Sequence, residues 1–333
     1  MSNHDSALLP RVSVIIPTLN RPQLLAEALE SLERQTLPDW EAIVVDDGSK
    51  PAVDVDSLIA RFGPRIRGFS HETPRGGAAA KNTGVRHSRG EILAFLDDDD
   101  LYQPENIERV VGVLDRYPEI QVVYVGVAWF GANAEWANQD TLSSLKKTLD
   151  EAFGQQIEDE LIAFDDRLLG ALLHRVPVAF QREVVRRAAF EQVGPFREGR
   201  VLDHSDWSLR AACVLPVALL KTELYLARAD GQSYVSRGDR LIDQLLANVD
   251  TKEMLLKRAE AGGASDERLL MLREAVAKCW FDVAYGYAER GNAGKSLKAW
   301  RTSQRHAFKL ARMKFPVRVA LQWVKTRHRP AAG

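Results

Sequence analysis

Ile92-Leu93-Ala94-Phe95-Leu96-Asp97-Asp98-Asp99-Asp100 is a run of five apolar residues that ends in four consecutive carboxylates. The apolar part has the length and composition of a buried strand, and a buried strand ends at a surface. Four adjacent carboxylates repel one another unless a cation or a ligand offsets the repulsion. Hard divalent cations such as Mg²⁺ take oxygen ligands, often one or two carboxylates completed by phosphate oxygens. Read alone, the segment also suits an acidic turn capping the helix expected from Pro104. Its neighbours in the sequence decide between the two.

Upstream, Val12-Ser13-Val14-Ile15-Ile16 and Glu41-Ala42-Ile43-Val44-Val45 are apolar runs of strand length, and Ile66 to Phe69 is a shorter one. Between them, Pro22 to Gln35 carries Leu24, Leu25, Ala28, Leu29 and Leu32 at helical spacing, Val53 to Phe62 reads as a weaker helix, and Gly77 to His87 as another. Pro104 to Tyr117 has the proline of a first helical turn, and Gln121 to Phe130 is a further strand. Alternating units with near-continuous apolar strands predict a mostly parallel sheet with helices on both faces. In such sheets ligands bind at the carboxyl ends of the strands. The segments Pro17-Thr18-Leu19-Asn20, Asp46-Asp47-Gly48-Ser49 and Asp97 to Asp100 all follow strands, so all three are expected on one edge.

Farther along, Thr141 to Phe153 and Asp166 to His174 read as helices, Val178-Ala179-Phe180 as a strand, and Glu183 to Gln192 as a helix. Asp203 to Cys213 is expected to be helical and Val217 to Leu226 a strand. From Asp239 the pattern is helical, broken at Gly262-Gly263 and Gly291-Asn292.

The 333 residues, 45% hydrophobic and 27% charged, fit a soluble globular protein. Cys213 and Cys279 make no metal-ligand pattern, and a reducing compartment suits them. The N-terminus lacks the basic and apolar regions of a signal peptide, and no apolar stretch reaches membrane-span length, so a cytoplasmic location is expected. The net charge of −1 hides an asymmetry. After Glu289 there are 12 of the 45 basic residues and none of the 46 acidic ones, which leaves residues 1–289 with 33 basic against 46 acidic.

Taken together these segments resemble glycosyltransferase family 2, an inverting, nucleotide-sugar-dependent family with the GT-A fold. The resemblance runs over residues 10–230. It is carried by Val12 to Asn20, Val44-Val45-Asp46-Asp47-Gly48-Ser49, Arg75-Gly76-Gly77-Ala78-Ala79-Ala80-Lys81-Asn82-Thr83-Gly84, Phe95 to Asp100 as a DXD motif, and Val193-Gly194-Pro195-Phe196. It implies a GT-A domain at 10–230, with a nucleotide-sugar-binding half at 10–130 and an acceptor-side half at 131–230, followed by a helical C-terminal region at 239–329. It also implies Mn²⁺ or Mg²⁺ on Asp99, with Asp97 and Asp98 near the ribose and the water shell of the metal. Asp47 would accept from the uracil ring, Pro17 and Thr18 would meet the nucleoside, and Lys81 would lie near the nucleotide, although a lysine on a helix surface fits the sequence as well. A cation bridging the diphosphate neutralises charge that grows as the glycosidic bond breaks.

An inverting transfer needs a base for the acceptor hydroxyl. The family pattern Glu-Asp-x-Asp-x-x-x-Arg, aligned on Arg210, puts His204 where the catalytic aspartate stands, preceded by Asp203; a shift of one residue puts Asp203 there. Both remain candidates, and Asp206 is expected to orient or cap the helix. The expected activity is sugar transfer from a nucleotide sugar, a UDP-sugar, to a hydroxyl of a polysaccharide, lipopolysaccharide or lipid-linked glycan of the cell envelope. The rival readings are a binding module that has lost its base and a sugar-phosphate nucleotidylyltransferase. In the basic tail Trp300, Phe308, Leu310, Phe315, Val319, Leu321 and Trp323 interleave with the cations. That pattern suits peripheral contact with an anionic membrane at its inner face, or a helical pair packed on the protein. Nucleic acid is not an expected partner, because the rest of the chain is acidic.

Overall fold

The computed structural model describes residues 9–230, 240–317 and 319. The chain divides into two compact units, residues 1–232 and 233–333.

The first unit is built on one sheet of ten strands: β1 (Val12–Thr18), β2 (Trp40–Asp46), β3 (Ile66–Ser70), β4 (Ile92–Phe95), β5 (Leu101–Tyr102), β6 (Val122–Phe130), β7 (Gln155–Glu158), β8 (Leu161–Phe164), β9 (Glu183–Arg186) and β10 (Val217–Arg228). The order is β3-β2-β1-β4-β9-β6-β10-β8-β7, with β5 pairing β10. β1 is parallel to β2 and β4, β2 to β3, and β6 to β10, while β9 runs antiparallel between β4 and β6. Strands β1 to β4, β6 and β10 therefore all point the same way. The continuous apolar runs are buried throughout β2 and β4, as strands covered on both sides require.

Helices α1 (Pro22–Glu33), α2 (Val55–Phe62), α3 (Gly77–His87), α4 (Asn106–Arg116), α5 (Ala134–Ala152), α6 (Arg167–His174), α7 (Arg187–Val193) and α8 (Asp203–Ala211) connect the strands. Pro22 stands in the first turn of α1, where its missing N–H costs nothing, and Asp54 caps α2 by accepting from Ser57 N at 3.0 Å. Helix α3 buries Ala78, Ala79, Ala80 and Gly84. A Cβ on Gly84 would stand 2.5 Å from Ile15 Cγ2 on β1. Gly84→Ala should therefore overpack this contact, costing about 1–3 kcal/mol. For a domain of this size that is roughly 2–4 °C in melting temperature per kcal/mol. A variant that melts with the wild type would contradict so close an approach.

Two expectations fail between residues 178 and 192. Val178–Gln181 is a 3₁₀ turn, not a strand, and Glu183–Arg186 is strand β9, the helix beginning only at Arg187. Val184 pairs with Ala94 on one side and Val123 on the other. Strand preference depends on cross-strand neighbours, and these neighbours lie 61 and 90 residues away in the chain.

The second unit holds α9 (Leu241–Ala261), α10 (Asp266–Glu289) and α11 (Ala293–His306), with a 3₁₀ turn at Leu310–Lys314. Ser265 caps α10 and Asn292 caps α11 through their side-chain oxygens. The core is Val249, Cys279, Val283, Ala284, Ala299, Phe315 and Val319. For Phe315 and Trp300 this fits the packed alternative of the sequence reading rather than exposure to a membrane. Phe315 is buried against Phe281 and Tyr285, and Trp300 donates from Nε1 to the Arg312 carbonyl at 3.0 Å. Among the described residues of the basic tail, the apolar side chains left open are Phe308, Leu310, Met313 and Val317. Leu321 and Trp323 lie outside the described residues. Among the described residues no helix is long and apolar enough to cross a membrane.

Candidate active site

Because β1, β2 and β4 are parallel and adjacent, Thr18, Asp46-Asp47 and Asp97 to Asp100 leave the sheet at the same edge. Thr18 is buried and donates from Oγ1 to Asp98 Oδ2 at 2.7 Å, and Asp47 N donates to the Thr18 carbonyl at 2.9 Å. Pro17 lies beside them, half-buried.

The four aspartates take two kinds of position. Asp98 and Asp100 are buried. Burial pushes Asp98 up to about 6, against the hydrogen bond from Thr18, and Asp100 up to about 7, against the charge of Arg182. Asp100 accepts from Tyr225 OH and from Arg228 N, each at 2.8 Å, and so ties the end of β4 to β10. The side chains of Asp97 and Asp99 are 33% and 22% exposed. Burial also opposes ionisation of Asp97, but Arg182, Lys81 and His204 outweigh it and hold its carboxyl below the ordinary value. Burial and then the charge of Asp97 push Asp99 up.

Two guanidinium groups stand among these carboxylates. Arg21 Nη1 reaches Asp99 Oδ2 at 2.8 Å and Asp98 Oδ1 at 3.2 Å. Arg182 Nη2 lies 3.3 Å from Asp100 and 3.6 Å from Asp97, with the guanidinium over the Tyr225 ring.

Among the described residues, no set of three or more His, Cys, Asp or Glu converges into a cage made by protein alone. A cation that bridges a diphosphate needs few protein ligands. The partly exposed, hard oxygens of Asp99 fit that requirement, although a cation at Oδ2 would have to displace Arg21.

Asp47 is buried, and its carboxylate is largely engaged. It accepts from Arg75 N at 2.9 Å and Gly76 N at 2.7 Å, and its Oδ1 lies 2.6 Å from His71 Nδ1. His71 Nε2 in turn meets Thr83 Oγ1 at 2.9 Å. Asp46 holds the loop instead, accepting from Ser49 N and Val53 N.

Lys81 is not a surface lysine. It is 4% exposed, and its Nζ reaches Asp203 Oδ2 at 2.8 Å and His204 Nε2 at 2.6 Å. On the same helix, Asn82 exchanges two hydrogen bonds with the backbone of Phe196, which fastens α3 to the Val193–Phe196 loop. His204 is buried, its Nδ1 lies 2.8 Å from Glu183 Oε1, and its Nε2 lies 4.0 Å from Asp97 Oδ1. Asp203 is held down at about 2: burial opposes this, but Lys81 and His204 outweigh it. Asp206 accepts from Arg197 and Arg210 and secures the start of α8.

The structure thus brings Pro17, Thr18, Asp97, Asp98 and Asp99 together, and joins Lys81, Asp203 and His204 to Asp97. Asp47 lies on the same edge in its own cluster. The sequence reading missed Arg21, His71, Arg182, Glu183, Tyr225 and Arg228. Arg21 had a signal, because it follows the first strand-end loop. Arg182 and Glu183 had none while that segment read as a helix.

Residues 13–177 match the family model of Glycosyl transferase family 2. An uncharacterized glycosyltransferase of Haemophilus influenzae is 41% identical over 113 residues, which is 34% of this chain and 37% of that protein. A PGL/p-HBAD biosynthesis glycosyltransferase of Mycobacterium tuberculosis is 28% identical over 239 residues, covering 71% of this chain and 82% of the relative. The crystal structure of S. aureus TarS 1-349 superposes with a TM-score of 0.62 at 16% identity, over 95% of this chain and 88% of that one. The mannosyltransferase PcManGT from Pyrobaculum calidifontis, solved with GDP-Man and Mn²⁺, gives 0.52 at 19% identity, over 96% and 87%. At these identities the two structures show a shared fold.

Proposed function

Since the chain belongs to glycosyltransferase family 2, matched over residues 13–177, we propose that it is a metal-dependent, inverting transferase. It moves a sugar from a nucleotide-diphosphate sugar, a UDP-sugar, to a hydroxyl of a cell-surface polysaccharide, lipopolysaccharide or lipid-linked glycan. One observation carries this reading: open carboxylates and a buried histidine meet at the carboxyl edge of the sheet, with His204 Nε2 4.0 Å from Asp97. TarS solved with UDP and with UDP-GlcNAc supports the uridine donor by analogy of fold.

In this reading Asp99 is the protein ligand of Mn²⁺ or Mg²⁺. Held there, such an ion would supply positive charge to offset what builds on the leaving diphosphate. Arg21 adds a second positive group on the same side. Thr18 and Asp98 meet the ribose and Asp97 orients the sugar, while Pro17 borders the nucleoside. We assign the base to His204. The alternative, Asp203, is a weak base at about 2 and already receives Lys81 and the His204 N–H. His204 takes the acceptor proton as the acceptor oxygen bonds to the anomeric carbon. The bond to the diphosphate breaks, and its electron pair leaves with the phosphate. A thermal-shift screen of nucleotides and nucleotide sugars with and without Mn²⁺ tests the donor class, since a ligand of the native state raises apparent stability by mass action. Stabilisation by guanosine nucleotides but not by uridine nucleotides would overturn the UDP-sugar assignment.

For Asp47 we propose a role in reading the nucleobase, one carboxylate lone pair accepting from a ring N–H beside the three donors it already meets. Asp47→Asn should then weaken UDP by about 1.5–3 kcal/mol, the range for a hydrogen bond to a charged group. It should weaken CDP less. An equal loss for both, measured by titration calorimetry, would assign Asp47 to holding the loop alone.

For the tail we propose contact with an anionic membrane through Phe308, Leu310, Met313 and Val317, with Lys298, Arg301, Arg305 and Lys314 supplying charge. Each basic residue held near such a leaflet contributes about 1 kcal/mol. Full-length protein should co-sediment with phosphatidylglycerol vesicles at low salt and be released as salt rises. Phe308→Ser with Leu310→Ser should weaken binding at every salt concentration. Protein that stays in the supernatant at low salt would exclude the contact.

A further inference from the structure

The family pattern has a carboxylate where this chain has His204, and an imidazole needs something a carboxylate does not: a fixed tautomer. Nε2 faces the reacting edge, 2.6 Å from Lys81 Nζ and 4.0 Å from Asp97 Oδ1. An ammonium has only donors, so Nε2 meets it with a lone pair and the ring proton sits on Nδ1. Nδ1 points inward to Glu183 Oε1 at 2.8 Å.

Glu183 is fully buried on β9, between β4 and β6. A buried carboxylate is expensive unless it is paired and its oxygens are satisfied. A carboxylate kept for architecture alone would be saturated with donors, as Glu41 is by Ser13, Arg67 and Arg89. Glu183 Oε2 has no hydrogen-bond partner among the described residues, and Oε1 is directed at His204. The other charged groups around the imidazole are already paired: Lys81 with Asp203, and Asp97 with Arg182. The rings of Phe95 and Phe196 stand edge-on to it.

We propose that Glu183 is the positioning residue of the base. It holds the His204 proton on Nδ1, keeps the Nε2 lone pair toward the acceptor, and balances the imidazolium formed when Nε2 takes the acceptor proton. The inference rests on the reading of His204 as the base. When the acceptor hydroxyl displaces Lys81 from Nε2, Lys81 keeps Asp203 as its partner. The proton moves from the acceptor oxygen to Nε2, that oxygen bonds to the anomeric carbon, and the diphosphate leaves with its electron pair; the Nδ1 proton stays hydrogen-bonded to Glu183. The arrangement follows the logic by which a buried carboxylate orients a histidine base in hydrolytic triads.

The test uses the full chain with Mn²⁺, a panel of UDP-hexoses and water as acceptor, with UDP release as the readout. Glu183→Gln should lower turnover by about 10²-fold and leave UDP affinity within about twofold of wild type. An anionic partner favours the protonated imidazole, so its removal should move the acid limb of the pH–rate profile to lower pH. Glu183→Asp should restore part of the rate and return the limb toward wild type. ¹⁵N spectra of the histidine rings give a readout independent of turnover: the His204 signal should report a proton on Nδ1 in the wild type and should change in Glu183→Gln. Wild-type turnover and an unmoved acid limb in Glu183→Gln, with His204→Ala inactive, would overturn the inference and leave the base assignment standing. Full activity in His204→Ala would remove the base assignment and the inference with it. If no UDP-hexose is hydrolysed, a His204 ring protonated on Nε2, or one whose spectrum ignores Glu183→Gln, overturns the proposal on its own.

Discussion

His204→Ala should reduce turnover by about 10²–10⁴-fold, the range supplied by a positioned general base, with donor affinity nearly unchanged. The nucleotide contacts proposed above come from Thr18, Asp47 and the aspartate cluster, and none passes through the imidazole. The substitution leaves Lys81 paired with Asp203, but it strips Glu183 of its partner inside the fold. His204→Gln, which keeps polar atoms near Glu183 without a titratable base, therefore separates catalysis from folding. Both variants should show the fall in kcat, with KM for the donor little changed, and the glutamine variant should melt closer to wild type. In the wild type the rate should fall on acidification, because a protonated imidazole cannot take the acceptor proton. A rate flat from about pH 5 to about pH 8, with the chemical step limiting, would rule out histidine as the base.

Asp99→Ala should remove the Mn²⁺-dependent part of UDP binding, a loss of about 100-fold or more. Even outer partners of a metal ligand are worth 10–100-fold in affinity. The role proposed for Asp99 rests on its side chain being partly exposed, with Oδ2 paired to Arg21, whereas Asp98 and Asp100 are buried and engaged with Thr18, Tyr225 and Arg228. The same measurement on Asp100→Asn should show lower thermal stability instead, since that carboxylate ties β4 to β10. The wild type adds a pH signature. Asp99 is pushed up by burial and by the charge of Asp97. Its ionised form, the one a metal binds, is therefore depleted earlier on acidification than for a free aspartate. Mn²⁺ affinity should fall on acidification, beginning at a higher pH than for a free aspartate and in parallel with the loss of nucleotide binding. UDP bound as tightly by Asp99→Ala with Mn²⁺ as by wild type would show that the metal, if used, sits elsewhere.

The order of strands and helices through residue 130 follows from local pattern because each parallel strand is buried along its whole length, and so is written as an unbroken apolar run. Only β5, two residues long, escapes it. Those runs also fix the edge at which Thr18, Asp47 and Asp97 to Asp100 emerge, since parallel strands deliver their carboxyl ends together. The caps and the glycine breaks of α9 to α11 are local as well, and the helical reading of that region agrees with the structure. Strand β9 is different. Glu183-Val184-Val185-Arg186 is four residues long and owes its conformation to β4 and β6.

By itself, the sequence determined a sheet of parallel strands, the edge where its polar loops gather, and the family to which those loops correspond. It also marked Asp203-His204 as the place where the chain departs from the family's usual base motif, leaving both residues as candidates. Only the tertiary structure decided what each charge faces. It divided four identical aspartates into two that are buried and two that stay partly exposed beside Arg21 and Arg182, drew Lys81 into the interior against Asp203 and His204, and put Glu183 behind the imidazole. It also turned Phe315 and Trp300 inward while leaving Phe308 and Leu310 open. The physical reason is the same in each case. Strand formation by an apolar run is encoded within a few residues, but the ionisation, pairing and exposure of a side chain depend on groups that folding brings from 12 to 125 positions away.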